Sequence, residues 1–386
     1  MKILIAVPDT GVGGVLTAAI NFSNELVSKG HEVCFIDMSG RNVCVERMNE
    51  CVRILSLKGR SLLWNIGINS VREASGLKKL LLLALGVVKK LTRRSGLWFN
   101  LIFNKFNDGE YFDVVIAFHQ CEPCYYFVLN KVNAKKKIGF VHGELSYMGD
   151  ISSWKKYMTQ FDKIAYVSNA VKEQFVKAYP ELSDNACTIY NTFDVEQIKT
   201  LANEDCDVTF DKKKINIVTV SRIVNNQKQI NRIVEICQNL KKSTSTPFHW
   251  YVIGDGEDLE TVISLSRDCM VDDVLSFVGR KSNPYPYIKE CDFTVLTSSS
   301  EAYGMVVVES FVLNKPAVVA EYPAIYEIME NKKQGLIIEQ NVESLTECVK
   351  SMIENTDCIR DRCTTHLLNA EINNEVAYRQ FLNSIK

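Results

Sequence analysis

The sequence predicts an α/β protein built from two doubly wound parallel-sheet domains that face each other across a cleft. Three observations lead there. At 386 residues the chain exceeds one ordinary domain, and 46% hydrophobic residues can supply two cores. Residues 1–36 read as strand, glycine loop, helix and strand. KILIAVP is followed by Gly11-Val-Gly-Gly14, then by Val15, Ala18, Ala19, Phe22 and Leu26 at helical spacing, then by Gly30 as a stop and His31 to Ile36. The same grammar returns at INIVTV, Ile215 to Val220, which opens a second sheet.

Composition narrows the classes. A net charge of −1 carries no whole-chain signal for nucleic acid. The 13 cysteines are scattered, and the short run KILIAV ends at Pro8 and Asp9 as a strand and turn. A reduced, cytoplasmic protein is therefore expected. The longest apolar run, Leu80 to Val88, is nine residues, under half of a membrane span. Cys121-Glu-Pro-Cys124 has CxxC spacing, but no second pair or histidine cluster completes a zinc site. The first glycine loop meets the dinucleotide pattern only in part. Asp37, at the end of the second strand, keeps a dehydrogenase reading open.

Residues 58–107 stand apart, with ten basic residues and Glu73 as the only acid. Lys78, Lys79, Lys89, Lys90, Arg93 and Arg94 fall on one side of a helix. Leu80, Leu81, Leu83, Leu91, Leu97, Trp98, Phe99 and Phe103 supply apolar bulk elsewhere. Such a basic amphipathic segment with Trp and Phe suits an anionic membrane surface, and equally a solvated face on packed helices.

Two further strands, Tyr111 to Phe118 and Lys137 to Val141, each end near a histidine, His119 and the His142 of His142-Gly-Glu144. Lys163 to Val167 is the next strand, and Ser168 caps the helix after it. Residues 195–214 are polar and read as a linker. Asp205-Cys-Asp207 lies there in a loop and follows no strand, so its DxD spacing is not read as a metal motif.

In the second half, Arg222 follows the strand Ile215 to Val220, and Lys228 lies near the next helix start. Trp250 to Ile253 leads to the turn Gly254-Asp-Gly256. Leu275 to Gly279 leads to a loop, Arg280 to Tyr287, with two prolines and two tyrosines. Phe293 to Leu296 is a buried strand, Thr297 to Ser300 a loop of small hydroxyl residues, and a helix starts near Tyr303. Glu301 sits in that loop and Glu309 about two turns further on. Ligands in such sheets sit at strand carboxyl ends against helix N-termini. Amides there suit a phosphate, and carboxylates accept from vicinal hydroxyls. The combination describes a nucleotide sugar.

Glu301-x7-Glu309, within SSSEAYGMVVVESFVLNKPAVV, resembles the donor motif of retaining GT-B glycosyltransferases, especially family 4. The resemblance runs in order over nearly the whole chain and is weakest at residues 40–110. It implies an N-terminal acceptor-binding domain over 1–195, carrying the basic insert at about 58–107. It implies a nucleotide-sugar domain over 196–365 and a final helix, 366–386, crossing back onto the first domain. The implied reaction moves a sugar from a nucleoside diphosphate, most often UDP in the family, to a hydroxyl of a glycan or lipid-linked acceptor. No cofactor and no metal are expected. Arg222 and Lys228 resemble the diphosphate clamp, with Lys228 six residues on where five is commoner. Glu301 would orient the sugar, Glu309 hold ribose and His142 line the sugar pocket. Tyr303, Gly304, Met305 and Val306 would present the donor-binding helix start, and Gly13 and Gly14 would face the cleft beside the phosphates. Glu321-Tyr-Pro-Ala-Ile-Tyr-Glu-Ile replaces a glycine-rich loop of many relatives. The expected setting is the cytoplasm, peripheral on the inner face of the membrane, in surface-polysaccharide synthesis. A nucleotide-sugar 2-epimerase and a non-catalytic nucleotide- or membrane-binding protein remain alternatives.

Overall fold

The structure is a computed structural model. It describes residues 1–8, 13–40, 45–57, 75–92, 97–103, 109–329, 335–355 and 370–386. The first sheet has seven strands in the order β3-β2-β1-β4-β5-β6-β7, all parallel. They are β1 (Lys2–Val7), β2 (Glu32–Asp37), β3 (Arg53–Leu55), β4 (Tyr111–Ala117), β5 (Asn133–Val141), β6 (Lys163–Tyr166) and β7 (Ala186–Thr188). The second sheet has six, in the order β10-β9-β8-β11-β12-β13, again parallel. They are β8 (Ile215–Val220), β9 (Phe248–Ile253), β10 (Leu275–Gly279), β11 (Phe293–Leu296), β12 (Ala317–Ala320) and β13 (Gly335–Ile338). Central strands such as β1 and β11 are buried on both faces, which is why they read as unbroken apolar runs.

The helices of the first half are α1 (Gly14–Ser28), α2 (Gly76–Thr92), α3 (Leu97–Phe103), α4 (Glu122–Lys131), α5 (Ser152–Met158), α6 (Asn169–Ala178) and α7 (Val195–Leu201). Those of the second are α8 (Asn225–Lys228), α9 (Asn231–Ser243), α10 (Leu259–Asp268), α11 (Tyr285–Glu290), α12 (Met305–Val312), α13 (Val342–Glu354) and α14 (Ala370–Ser384). In both sheets the chain order reverses beside the first strand, leaving a crevice at the carboxyl ends of β1/β4 and β8/β11. The two domains are thus Rossmann-like.

Several expectations need correction. Part of the expected linker is helix α7, because the Asp194 carboxylate accepts from Gln197 N at 3.0 Å and caps it. The expected loop Arg280–Tyr287 stops at Pro284, where α11 begins. The donor-side helix starts at Met305, not near Tyr303, because Gly304 is in the left-handed region (φ +98°) and ends the loop there. The insert also differs. Trp98, Phe99 and Phe103 are buried, with the Phe99 ring tilted against Tyr126 and the Phe103 ring tilted against Phe127 of α4. They are core, so they are not the aromatic anchors the sequence suggested. On α2 it is the aliphatic residues that face out: Leu80 is 68% and Leu91 75% exposed, and Leu81, Leu83, Val87 and Val88 are exposed too. Lys79 and Lys90 are exposed on the same helix. Lys58, Arg60, Arg72, Arg93, Arg94 and Lys105 lie outside the described residues, as do the side chains of Lys78, Lys89 and Leu97.

The halves meet at defined contacts. Helix α14 lies on the first domain: Phe381 packs edge-on to Phe22 of α1, and Asn374 and Gln380 accept from Phe193 N and Tyr190 N. Glu327 of the second half reaches the start of α6 in the first. Its carboxylate accepts from Asn169 N (2.8 Å), Ala170 N (2.8 Å), Asn169 Nδ2 (3.0 Å) and Tyr190 OH (2.9 Å). An anion there also meets the positive end of the helix dipole.

Candidate active site

The site is built where β8 and β11 end. After β11 the chain cannot continue as helix at once, because Thr297 to Ser300 engage the turn α8 instead. Thr297 Oγ1 donates to Lys228 O (3.0 Å), Ser299 N donates to Gln227 O (2.8 Å), and Gln227 Nε2 donates to Ser300 O (3.1 Å). Those bonds fix α8 over the loop and aim Lys228 inward. Its Nζ lies 2.6 Å from Glu301 Oε1, which also accepts from Ser298 Oγ at 2.8 Å. The extra residue before Lys228 is absorbed by the helical turn Asn225–Lys228, closed by Gln229 in the left-handed region (φ +52°). Lys228 and Glu301 are about 15% exposed, so their attraction is screened less than that of a surface pair.

Arg222 follows β8 and is exposed. Among the described residues its guanidinium has no ion-pair partner, so it is available to an anion. The turn Gly254-Asp-Gly256 explains its own glycines: a Cβ on Gly254 would fall 1.8 Å from Ser221 O, and one on Gly256 2.1 Å from Ile223 O. The backbone carrying Arg222 is therefore pressed onto that turn. Gly304 is required in the same way, since a Cβ there would lie 2.1 Å from Tyr322 Oη.

Glu309 is on α12, but it does not join Glu301 in one hydrogen-bonded group. It is buried and accepts from Tyr285 OH at 3.2 Å. Burial pushes its carboxyl up to about 7, against the pull of the Tyr285 hydroxyl and the nearby Arg47. Tyr303 is also buried, donating to Asn373 Oδ1 at 2.7 Å, with its ring beside Tyr190 and Phe193. Its hydroxyl thus serves the junction with α14. Across the cleft, a Cβ on Gly14 would be 3.9 Å from the Met305 sulfur. The N-terminus of α1, after Gly13, thereby faces that of α12, after Gly304 and beside Met305 and Val306.

His142 packs between Phe118 (4.7 Å) and Phe140 (5.5 Å), and its backbone N donates to Gln120 Oε1 at 3.0 Å. Burial, helped by His119, drives its pKa down to about 3, so the ring is neutral at ordinary pH. Its Nε2 is buried without a partner. Cys121 stands at the N-cap position of α4 without a side-chain cap bond, and the Cys124 thiol donates to Ala6 O at 3.4 Å. Asp207 of the DxD stretch engages Lys281 and Tyr287. Among the described residues, one grouping could hold a metal, Glu32, Cys34 and Glu110. Lys2 and Arg53 already pair with its Glu110, so its charge is met by cations of the chain itself.

Sequence reasoning left Glu144, Gln174, Tyr285 and Tyr322 without roles. Glu144 stands two residues past His142, a spacing that was visible. The tyrosines gave no sequence signal, because only the packing of α11 and of the 321–328 stretch brings them to the two glutamates.

The sequence profile of the family described as Glycosyl transferases group 1 matches residues 203–365, the half that holds Arg222, Lys228, Glu301 and Glu309. Residues 203–365 are therefore the part of the chain that is similar to a group 1 glycosyltransferase domain. The chain containing it is 22% identical over 225 residues to N-acetyl-alpha-D-glucosaminyl L-malate synthase of Bacillus anthracis, covering 56% of this chain and 58% of that protein. It is 24% identical over 177 residues to the Campylobacter jejuni N-acetylgalactosamine-N,N'-diacetylbacillosaminyl-diphospho-undecaprenol 4-alpha-N-acetylgalactosaminyltransferase, covering 45% of this chain and 46% of that protein. The chain thus spans about half the length of these curated relatives. In fold, it superposes on a Staphylococcus aureus TarM variant in complex with Fondaparinux, alpha-GlcNAc-glycerol and UDP, with a TM-score of 0.69 at 14% identity over 100% of this chain and 99% of that one. The architecture is GT-B, and the group 1 profile falls on its second half.

Proposed function

We propose that the protein transfers a sugar, with retention, from a nucleoside-diphosphate donor to a hydroxyl of a glycan or lipid-linked acceptor in cell-surface polysaccharide synthesis. The observation that carries this reading is the Lys228–Glu301 pair, set 2.6 Å apart at the end of β11, with Arg222, which has no ion-pair partner among the described residues, just after β8. The pair keeps a cation and a carboxylate ready at one strand end. A diphosphate can take up Lys228, and sugar hydroxyls can take up Glu301. UDP is the preferred nucleotide, since TarM is seen with UDP. The undecaprenol-linked substrate of the Campylobacter relative favours a lipid-linked acceptor.

In the proposed reaction the C1–oxygen bond to the diphosphate breaks and its electron pair stays on the phosphate. The acceptor oxygen bonds to C1 from the same face, and its proton passes to the departing phosphate. Arg222, Lys228 and the amides at Gly304 to Val306 offset the negative charge that develops, so no divalent ion is needed. Glu309 and the Gly13–Gly14 turn hold ribose and phosphate, while neutral His142 lines the sugar pocket. The exposed aliphatic face of α2, flanked by Lys79 and Lys90, supports docking on an anionic membrane, at its inner face. No described helix is long and apolar enough to cross a membrane. The test is nucleotide release from a panel of nucleotide sugars, with and without chelator. Turnover that disappears with chelator and returns only with manganese would refute the metal-free account.

A further inference from the structure

Glu144 is the one carboxyl near Glu301 that the reading above leaves without work. It is 4% exposed, and its Oε1 is buried without a hydrogen-bond partner, a costly state for a group of no use. It sits on the loop between β5 and α5. That loop touches the donor side directly, because Tyr147 OH and Ser299 Oγ are 2.9 Å apart. Four groups surround Glu144. Glu301 raises its pKa and Lys228 lowers it; the Gln174 amide of α6 lies beside it; and the Tyr322 hydroxyl senses both Glu144 and Glu301. Gln174 Oε1 and His142 Nε2 are likewise buried without partners. Three buried polar atoms of the first domain, Glu144 Oε1, Gln174 Oε1 and His142 Nε2, are thus without partners, and the Glu144 carboxyl lies near enough to Glu301 to feel its charge.

We propose that Glu144 is the second carboxyl of the sugar pocket, contacting hydroxyls of the transferred sugar from the side opposite Glu301 and restricting the donor to an uncharged sugar. The proposal rests on the transferase reading. Its electrostatic basis is simple: Lys228, the lysine that acts on Glu144, is already matched to Glu301. Burial, and then the Glu301 charge, push the Glu144 carboxyl up to about 7, so it tolerates neither a further anion nor its own charge easily. A hexuronic acid would bring a third carboxylate beside these two. A neutral hexose or N-acetylhexosamine brings hydroxyls, which donate to the open Oε1 atom and cost nothing in charge.

The test needs no acceptor. UDP release is measured at pH 8 from UDP-hexoses, UDP-N-acetylhexosamines and UDP-hexuronic acids, for the wild type, Glu144→Gln and Glu144→Ala. UDP affinity is followed separately by calorimetry. The expected result has three parts. The wild type consumes a neutral-sugar donor at least tenfold faster than any uronic donor. Both variants raise the KM for that donor at least tenfold. UDP affinity stays within twofold, which a merely misfolded variant would not show. Wild-type KM in Glu144→Gln and Glu144→Ala, or equal use of uronic and neutral donors, overturns the inference alone. A wild type that releases UDP from no donor overturns both the inference and the function beneath it.

Discussion

Gly304 turns the chain from the Glu301 loop into α12, and its replacement can be worked through quantitatively. Gly304→Ala introduces two separable costs. At φ +98° an L-residue is strained, by about 1–2 kcal/mol. The new methyl would also lie 2.1 Å from Tyr322 Oη, an overlap worth about 1–3 kcal/mol once neighbours shift. The sum is about 2–5 kcal/mol. Tyr322→Phe removes the clashing atom and leaves the next contact, the ring carbon, at a tight but bearable 3.3 Å. Alone it loses only the bond from Tyr322 OH to Tyr303 O, 3.3 Å long and worth about 0.5–1.5 kcal/mol. In the Phe background, Gly304→Ala should therefore cost only the backbone part. Urea denaturation of the four proteins closes the cycle, with an expected coupling of about 1–3 kcal/mol. A coupling below 0.5 kcal/mol would show that Tyr322 does not press on Gly304, and the argument for this glycine would fall.

Further outcomes follow from the same site. Arg222→Ala should lower donor turnover about 10²–10³-fold with little change in thermal stability, since the side chain is exposed; wild-type turnover would remove it from the diphosphate clamp. Lys228→Ala and Glu301→Gln should both cost turnover, yet only the lysine variant should lose UDP affinity by calorimetry, and the reverse pattern would exchange their roles. Glu309 titrates near 7 because it is buried. A carboxyl raised in the folded state contributes stability that is present below its unfolded value of about 4.5 and is lost as pH rises towards 7. Glu309→Gln should flatten the fall in stability between those values, and an unchanged pH–stability curve would contradict the burial. Leu80→Glu with Leu91→Glu should abolish sedimentation with phosphatidylserine vesicles; undiminished binding would remove α2 from membrane docking.

Much of this architecture was legible in the sequence, for reasons that can be named. Strands buried on both faces must be apolar throughout, so KILIAV, INIVTV and FTVL declared themselves, as did the helices with hydroxyl caps. Short edge strands did not: β3, β7 and β13 are three or four residues long, too brief for any periodicity to show. The insert misled because Trp98, Phe99 and Phe103 have the same composition whether they face lipid or the groove beside α4. At the site, Glu301, Lys228 and Arg222 were readable because they occupy fixed places relative to strand ends. The separate enclosure of Glu309 with Tyr285 was not, because it depends on how α11 leans on α12.

The carboxylate of Glu327, gripping the start of α6 with four hydrogen bonds, makes the two halves unequal in their freedom to part. Elsewhere, among the described residues, the cleft is bridged by the hydroxyl pair Tyr147 and Ser299 and by the bond from the Arg47 guanidinium to Ser282 O. An excursion that admits a substrate would sever these single bonds before the four-bond grip of Glu327. Glu327 is thus placed as a pivot, about which the gap would widen like a book held at its spine.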